Sequence, residues 1–159
     1  MIRISFYSGI AGLAAALLII ILSGFGKSET PGMMEDASPY DFETTIDRFE
    51  TAVDEAGWGI ITTHNMQQMM QRHGHEVNKI KIFEVCSARY SAEVLKLDDE
   101  RIITPLMPCR IAIYEKSDGV TYISRMDHKA IARPYGGVIY DVMTKATRDM
   151  EMMIAQVVE

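Results

Sequence analysis

Residues 110–124 read Arg110-Ile-Ala-Ile-Tyr-Glu115, then Lys116-Ser-Asp-Gly119, then Val120-Thr-Tyr-Ile-Ser124. Ile111 and Ile113 recur with period two, which sets both on one face of a strand over Arg110–Glu115. Ser117-Asp118-Gly119 is a turn, because glycine and aspartate tolerate the backbone angles that a tight reversal needs. A second strand then runs over Val120–Ser124. Two strands closed by a short turn are antiparallel neighbours. Helices elsewhere in the chain must then cover one face of their sheet, which predicts an α+β domain.

The neighbouring segments fit that scheme. Ile80, Ile82 and Val85 predict a strand from Lys79 running into Cys86, its alternation broken near Phe83. Before it, Asp41 is placed to cap a helix carrying Phe42, Ile46, Phe49 and Val53 at helical spacing, with Gly57 as its stop. Trp58–Thr63 reads as a strand, Met66–His73 as a short helix ended by Gly74, and Met33–Ser38 as a first strand. Tyr90–Leu97 reads as a helix and Asp98-Asp99-Glu100 as an exposed turn. Val138, Val142, Ala146, Met150 and Ile154 form the apolar stripe of a long helix over Val138–Val157.

The amino-terminal part is different. Arg3 precedes an uncharged run from Ile4 to Gly26, closed by Lys27. At ~1.5 Å per residue such a helix spans a ~30 Å hydrocarbon layer. Residues 1–27 are therefore a retained transmembrane anchor or a cleaved signal segment. The run is long and its cleavage site, Gly24-Phe25-Gly26, is poor, so the anchor is preferred. Phe25 stands where a lipidated cysteine would have to be. Residues 28–32 are a tether, and residues 33–159 form the domain. Arg3 and the amino terminus outweigh Lys27, which favours export of that domain to the periplasmic or extracellular side. Ser8, Gly12 and Ala16 share one helix face, where small residues permit close approach of a partner helix.

The 159 residues are 48% hydrophobic, 24% charged and 8% aromatic, the profile of one globular domain plus an appendage. All 22 acidic residues and 14 of the 16 basic ones follow Lys27, a formal charge of −8. That charge repels phosphate backbones, and there is no basic stripe with interleaved aromatics, so nucleic acid is excluded as a partner.

Phe42–Gly57, Lys81-Ile-Phe-Glu-Val-Cys86, Met107-Pro-Cys-Arg-Ile-Ala-Ile-Tyr-Glu115, Asp118-Gly119 and Tyr122-Ile-Ser-Arg-Met126 together resemble the domain-of-unknown-function 302 family. The likeness covers roughly residues 33–157, and Pro108-Cys109-Arg110 entering an alternating strand is its most specific part. It implies a two-layer domain of β-α-β4-α order, often paired as a homodimer, in a family with no agreed biochemical activity. The family usually has Cys-Asn-Pro at the end of the third strand. Here Cys86 is followed by Ser87 and Ala88, so a ligand site shaped by that turn would be altered.

Candidate chemistry centres on sulfur. Cys86 ends one strand and Cys109 begins the next. Antiparallel pairing of the two brings them within disulfide reach, α-carbons ~4.4–6.8 Å apart. A bond there would contribute ~3 kcal/mol through the unfolded state. Two inert buried thiols, or a redox or ligand-binding pair assisted by Arg110 and Arg89, are the other readings. His73-Gly-His75 and His64 are candidate metal ligands, with His128, Glu76 or Cys86 to complete a set. Met66, Met69 and Met70, and Met150, Met152 and Met153, are thioethers that would suit Cu(I) but are expected to fill the core. Glu84 and Glu115 would work as an acid–base pair if they converged. Gly136-Gly137 offers free amides to an anion. There is no nucleophile elbow, Walker loop or His-Glu-x-x-His motif.

The resulting expectation is a membrane-anchored, exported binding or accessory module. Its partner is a membrane-protein complex or a small soft ligand near Cys86, Cys109, Met107 and Arg110. One alternative is thiol redox or sulfur transfer by Cys86 and Cys109. The other is copper or haem binding through His64, His73, His75 and methionine sulfurs.

Overall fold

The computed structural model describes residues 32–159. The expected anchor over residues 1–27 therefore lies outside the described residues. Among those described, no helix is long and apolar enough to cross a membrane.

Five strands form one antiparallel sheet: β1 (Met33–Ala37), β2 (Gly59–Asn65), β3 (Ile80–Cys86), β4 (Cys109–Glu115) and β5 (Thr121–Met126), in the spatial order β1-β5-β4-β3-β2. The hairpin read from residues 110–124 is the β4–β5 pair, with Tyr114 opposite Tyr122 and Glu115 opposite Thr121. The helices are α1 (Phe42–Glu55), α2 (Met66–Arg72), α3 (Ala88–Leu95), α4 (His128–Ala132) and α5 (Gly137–Val158), with a 3₁₀ helix over Asp99–Leu106. The order is one strand, one helix, four strands and a long helix. The shorter helices are carried on the connections.

α1 and α5 cover one face of the sheet. α1 starts where the Asp41 side chain accepts from the Thr44 N–H at 2.8 Å, satisfying one of the donors a helix start leaves free. It stops before Gly57, whose φ of 69° is a left-handed turn that other residues resist. Its stripe of Phe42, Ile46, Phe49, Ala52 and Val53 is buried, and Phe49 meets Phe83 of β3 edge-on with ring centres 5.3 Å apart. α5 adds Val142, Met143, Ala146, Met150, Met153 and Ile154, and the sheet adds Phe83, Val85, Ile111, Ile113 and Ile123. Each fully buried apolar side chain of this size contributes about 1.5–3 kcal/mol of transfer energy.

Three expectations need correction. The turn expected at Asp98-Asp99-Glu100 is the entry to the 3₁₀ helix, which runs on to Leu106 because Ile103 is buried beneath it. The short helix α3 begins at Ala88, two residues earlier than the periodicity suggests. Of the two methionine clusters, Met150 and Met153 are core, but α2 buries none of its residues, so Met66, Met69 and Met70 do not fill one. That helix rides on the β2–β3 connection at the sheet's edge, where no second layer reaches it.

An arginine is among the polar residues buried against the core. Arg125 of β5 is 4% exposed and points to the helical side, where it pairs with Asp36 of β1 and Glu151 of α5. The opposite face of the sheet is polar. Tyr114 donates to Glu35, Lys116 pairs with Glu35 at 2.7 Å and lies over the Tyr122 ring, and Tyr122 donates to Asp118. Burial, followed by the bond to Glu35, pushes the Tyr114 phenol up to about 12.

Candidate functional site

β3 and β4 run side by side with Val85 opposite Cys109, so the end of β3 and the start of β4 meet at one edge of the helical layer. Cys86 is the last residue of β3 and Cys109 the first of β4. Met107 precedes Cys109 across a cis Met107–Pro108 peptide. All three line a single cleft, closed by Trp58, by Tyr90 and Ser91 of α3, and by Met143 of α5.

The cleft is small. Its volume of about 20 Å³ has room for the centre of one or two water-sized spheres. Drug-sized ligands and haem need several hundred cubic ångströms, so the cleft as it stands takes an atom-sized occupant only. Its walls are apolar carbon and sulfur for the most part. Trp58 and Tyr90 meet edge-on at 6.0 Å, and the Tyr90 hydroxyl donates outward to Asp149 at 2.7 Å, which fixes that wall.

Both cysteines are free thiols, so the structure does not contain the disulfide that the strand pairing suggested. Cys86 Sγ is held 3.1 Å from Ser91 Oγ on α3, directed to the helix that follows its strand. Cys109 is 7% exposed and faces the core. Burial pushes its thiol up to about 12, and the charge that Cys86 would carry nearby adds to this. Cys109 therefore holds its proton at neutral pH unless a cation replaces it.

Arg110 does not join the thiols. It follows Cys109 in the strand, so alternation turns it to the other face, where it pairs with Glu84 at 3.3 Å. His64 Nε2 reaches the same Glu84 oxygen at 3.2 Å from β2, forming a surface cluster of three. His73 and His75 are exposed in the turn after α2, away from any third ligand. Among the described residues no three His, Cys, Asp or Glu side chains are grouped to hold a metal. His128 is fully buried, and burial lowers its pKa against the raising effects of the Met126 backbone and Asp127.

Glu84 and Glu115 do not converge. Glu84 lies opposite Arg110, five residues along β4 from Glu115, or roughly 16 Å. Glu115 pairs instead with Lys79. Gly136 and Gly137 open α5 with φ of 61° and 48°, a left-handed entry without a side-chain cap.

Trp58, Tyr90, Ser91 and Met143 were not legible as site residues. Trp58 is the chain's single tryptophan, which is a weak signal. Met143 lies one position off the helix stripe, and a stripe extended by one residue would have included it.

Comparison with known proteins gives one family. A model described as Domain of unknown function DUF302 matches residues 34–157. No curated protein matches the chain. Among solved structures, the crystal structure of an uncharacterized conserved protein DUF302 from Bacillus stearothermophilus is similar, with a TM-score of 0.73 and 16% identity. The match covers 80% of this chain and 99% of that one. At that identity the likeness concerns the fold.

Proposed function

The chain belongs to the DUF302 family, and we propose that it is an accessory module, held at a membrane by residues 1–27 with its domain exported, that carries a small soft ligand in the Cys86/Cys109 cleft for a membrane complex. One observation carries the reading: two thiols and two thioethers, from three separate chain segments, line one apolar cleft of atomic size. Soft sulfur donors in an apolar setting select soft occupants over hard, hydrated ones.

The test is protection of Cys86 from alkylation. The full chain, extracted from membranes in detergent, is treated with iodoacetamide alone and after equilibration with Cu(I), with Zn(II), or with a low-molecular-weight persulfide. Slowed modification of Cys86 by at least one soft species supports the reading. Equal rates under all of them overturn it.

A second reading, thiol redox or sulfur transfer, is favoured by the fact that both thiols are free and border the same space. Cys86 would be the attacking sulfur, because burial holds the proton on Cys109. An intramolecular disulfide that forms and is reduced reversibly, with unchanged fold, supports it. Thiols that oxidise only after unfolding remove it.

A further inference from the structure

Four sulfur-bearing residues line the cleft: the thiols Cys86 and Cys109 and the thioethers Met107 and Met143. No carboxylate and no imidazole joins them. Met107 is partly buried against the core and Met143 is 2% exposed, so both thioethers are fixed by packing. We propose that this cleft is a Cu(I) site, with Cys86 and Cys109 as thiolate ligands and Met107 and Met143 as the thioethers that complete it. The inference rests on the soft-ligand reading above and narrows it to one ion.

Three properties of the cleft point to this ion. Thiolate and thioether are the donors that select Cu(I), while Ca(II), Mg(II) and Mn(II) require oxygen. Zn(II) takes four strong donors, Cys, His or carboxylate, and here only two are present. The space of about 20 Å³ fits a bare ion and excludes an organic ligand. Water is the competing occupant of such a space. It needs two to four polar partners, and the Ser91 hydroxyl at the wall already faces Cys86.

The step balances without electron transfer. One Cu(I) forms two Cu–S bonds to the cysteines and releases two thiol protons to solvent, leaving a bis-thiolate cuprous centre of charge −1. Affinity therefore rises with pH, since the bound form has lost protons that the free form keeps.

The experiment is anaerobic titration of the full-length reduced chain in detergent with Cu(I), in competition with a chromophoric Cu(I) chelator. Proton release is followed in weakly buffered solution. The expected result is one Cu(I) per chain and two protons released. Cys86→Ser and Cys109→Ala should each weaken binding by about 100-fold, and Met107→Leu and Met143→Leu by about 10-fold. The leucine variants nearly conserve volume, so they separate a lost ligand from a lost fold. Trp58 fluorescence reports folding in each variant. Should Cys109→Ala not fold, Cys86→Ser and Met143→Leu decide. The joint variant His73→Ala, His75→Ala should bind as the parent does. Retention of Cu(I) within threefold by the folded Cys86→Ser variant overturns the site, and so does loss of binding in the histidine variant. If Cu(I) does not bind but a persulfide protects Cys86, the copper site falls and the soft-ligand reading stands. If neither protects, both fall.

Discussion

The two edges of the sheet are finished in different ways. At one edge, β1 is joined to β5 by five consecutive register pairs and tied from its side chains as well. Asp36 pairs with the buried Arg125, which also holds Glu151 of α5, and Glu35 receives Tyr114 and Lys116. At the other edge, β2 slips register between Ile60 and Thr62, leaves Ile61 63% exposed, and leads into α2, which buries nothing. The difference lies in where the core reaches. Near β1 the buried Arg125 lies beneath α5, so its charge is desolvated and must be paired. At β2 the layer thins: α1 still touches the strand and Ile60 packs on the core, but the residues after the bulge depend on the ladder alone. A bulge also protects an edge from pairing with other chains.

Four measurements test that contrast. The largest effect is expected at Arg125. Arg125→Ala leaves Asp36 and Glu151 without their shared cation beside the core, and should cost about 3–5 kcal/mol in urea unfolding. A loss under 1 kcal/mol would mean that the β1 edge is no more strongly tied than the β2 edge. Second is a pH effect at the site. Cys109 has its folded pKa raised, so stability is full below the unfolded thiol value near 9 and falls as pH rises toward about 12. In the reduced, metal-free chain, Cys109 should make urea unfolding at pH 9 and 10 differ by about 1 kcal/mol, and Cys109→Ala should remove that share of the slope and leave the smaller part due to Tyr114. An unchanged slope in the variant would place the titration elsewhere.

Third, Asp41→Ala removes the cap of α1 and should cost about 1 kcal/mol, read as a lower urea midpoint. The smallest effect is at the second edge. Ile61→Ala and Met69→Ala should each change stability by less than about 0.5 kcal/mol, and amides of α2 should exchange faster than those of α1. A loss above 1.5 kcal/mol at either position would show that this edge is covered in solution by a surface the monomer lacks.

The sequence made the core legible and the surroundings of the site only partly so, for physical reasons. Period-two and period-3.6 patterns report burial on a continuous element. Phe42, Ile46, Phe49 and Val53, or Ile111 and Ile113, therefore announced α1 and β4 directly. The meeting of Cys86 and Cys109 followed from strand order, because consecutive antiparallel strands bring one end to the next beginning. Arg110 was expected beside them on adjacency alone, yet adjacency in a strand is what separates two side chains onto opposite faces. The methionines of α2 failed differently. Composition suggested core, but whether a helix meets a second layer is decided by connections that local pattern does not encode. The Arg125–Asp36–Glu151 cluster joins positions up to 115 residues apart, and no spacing rule points to it.

The placement of β1 has a mechanical meaning. It is the first element after residues 1–31 and it is an edge strand, so tension arriving along the preceding chain is received by one hydrogen-bonded ladder rather than by the interior. A lone ladder can be peeled a rung at a time. Past Met33, Met34 and Glu35 that peeling meets Asp36, which Arg125 ties through Glu151 to α5, the longest of the described helices.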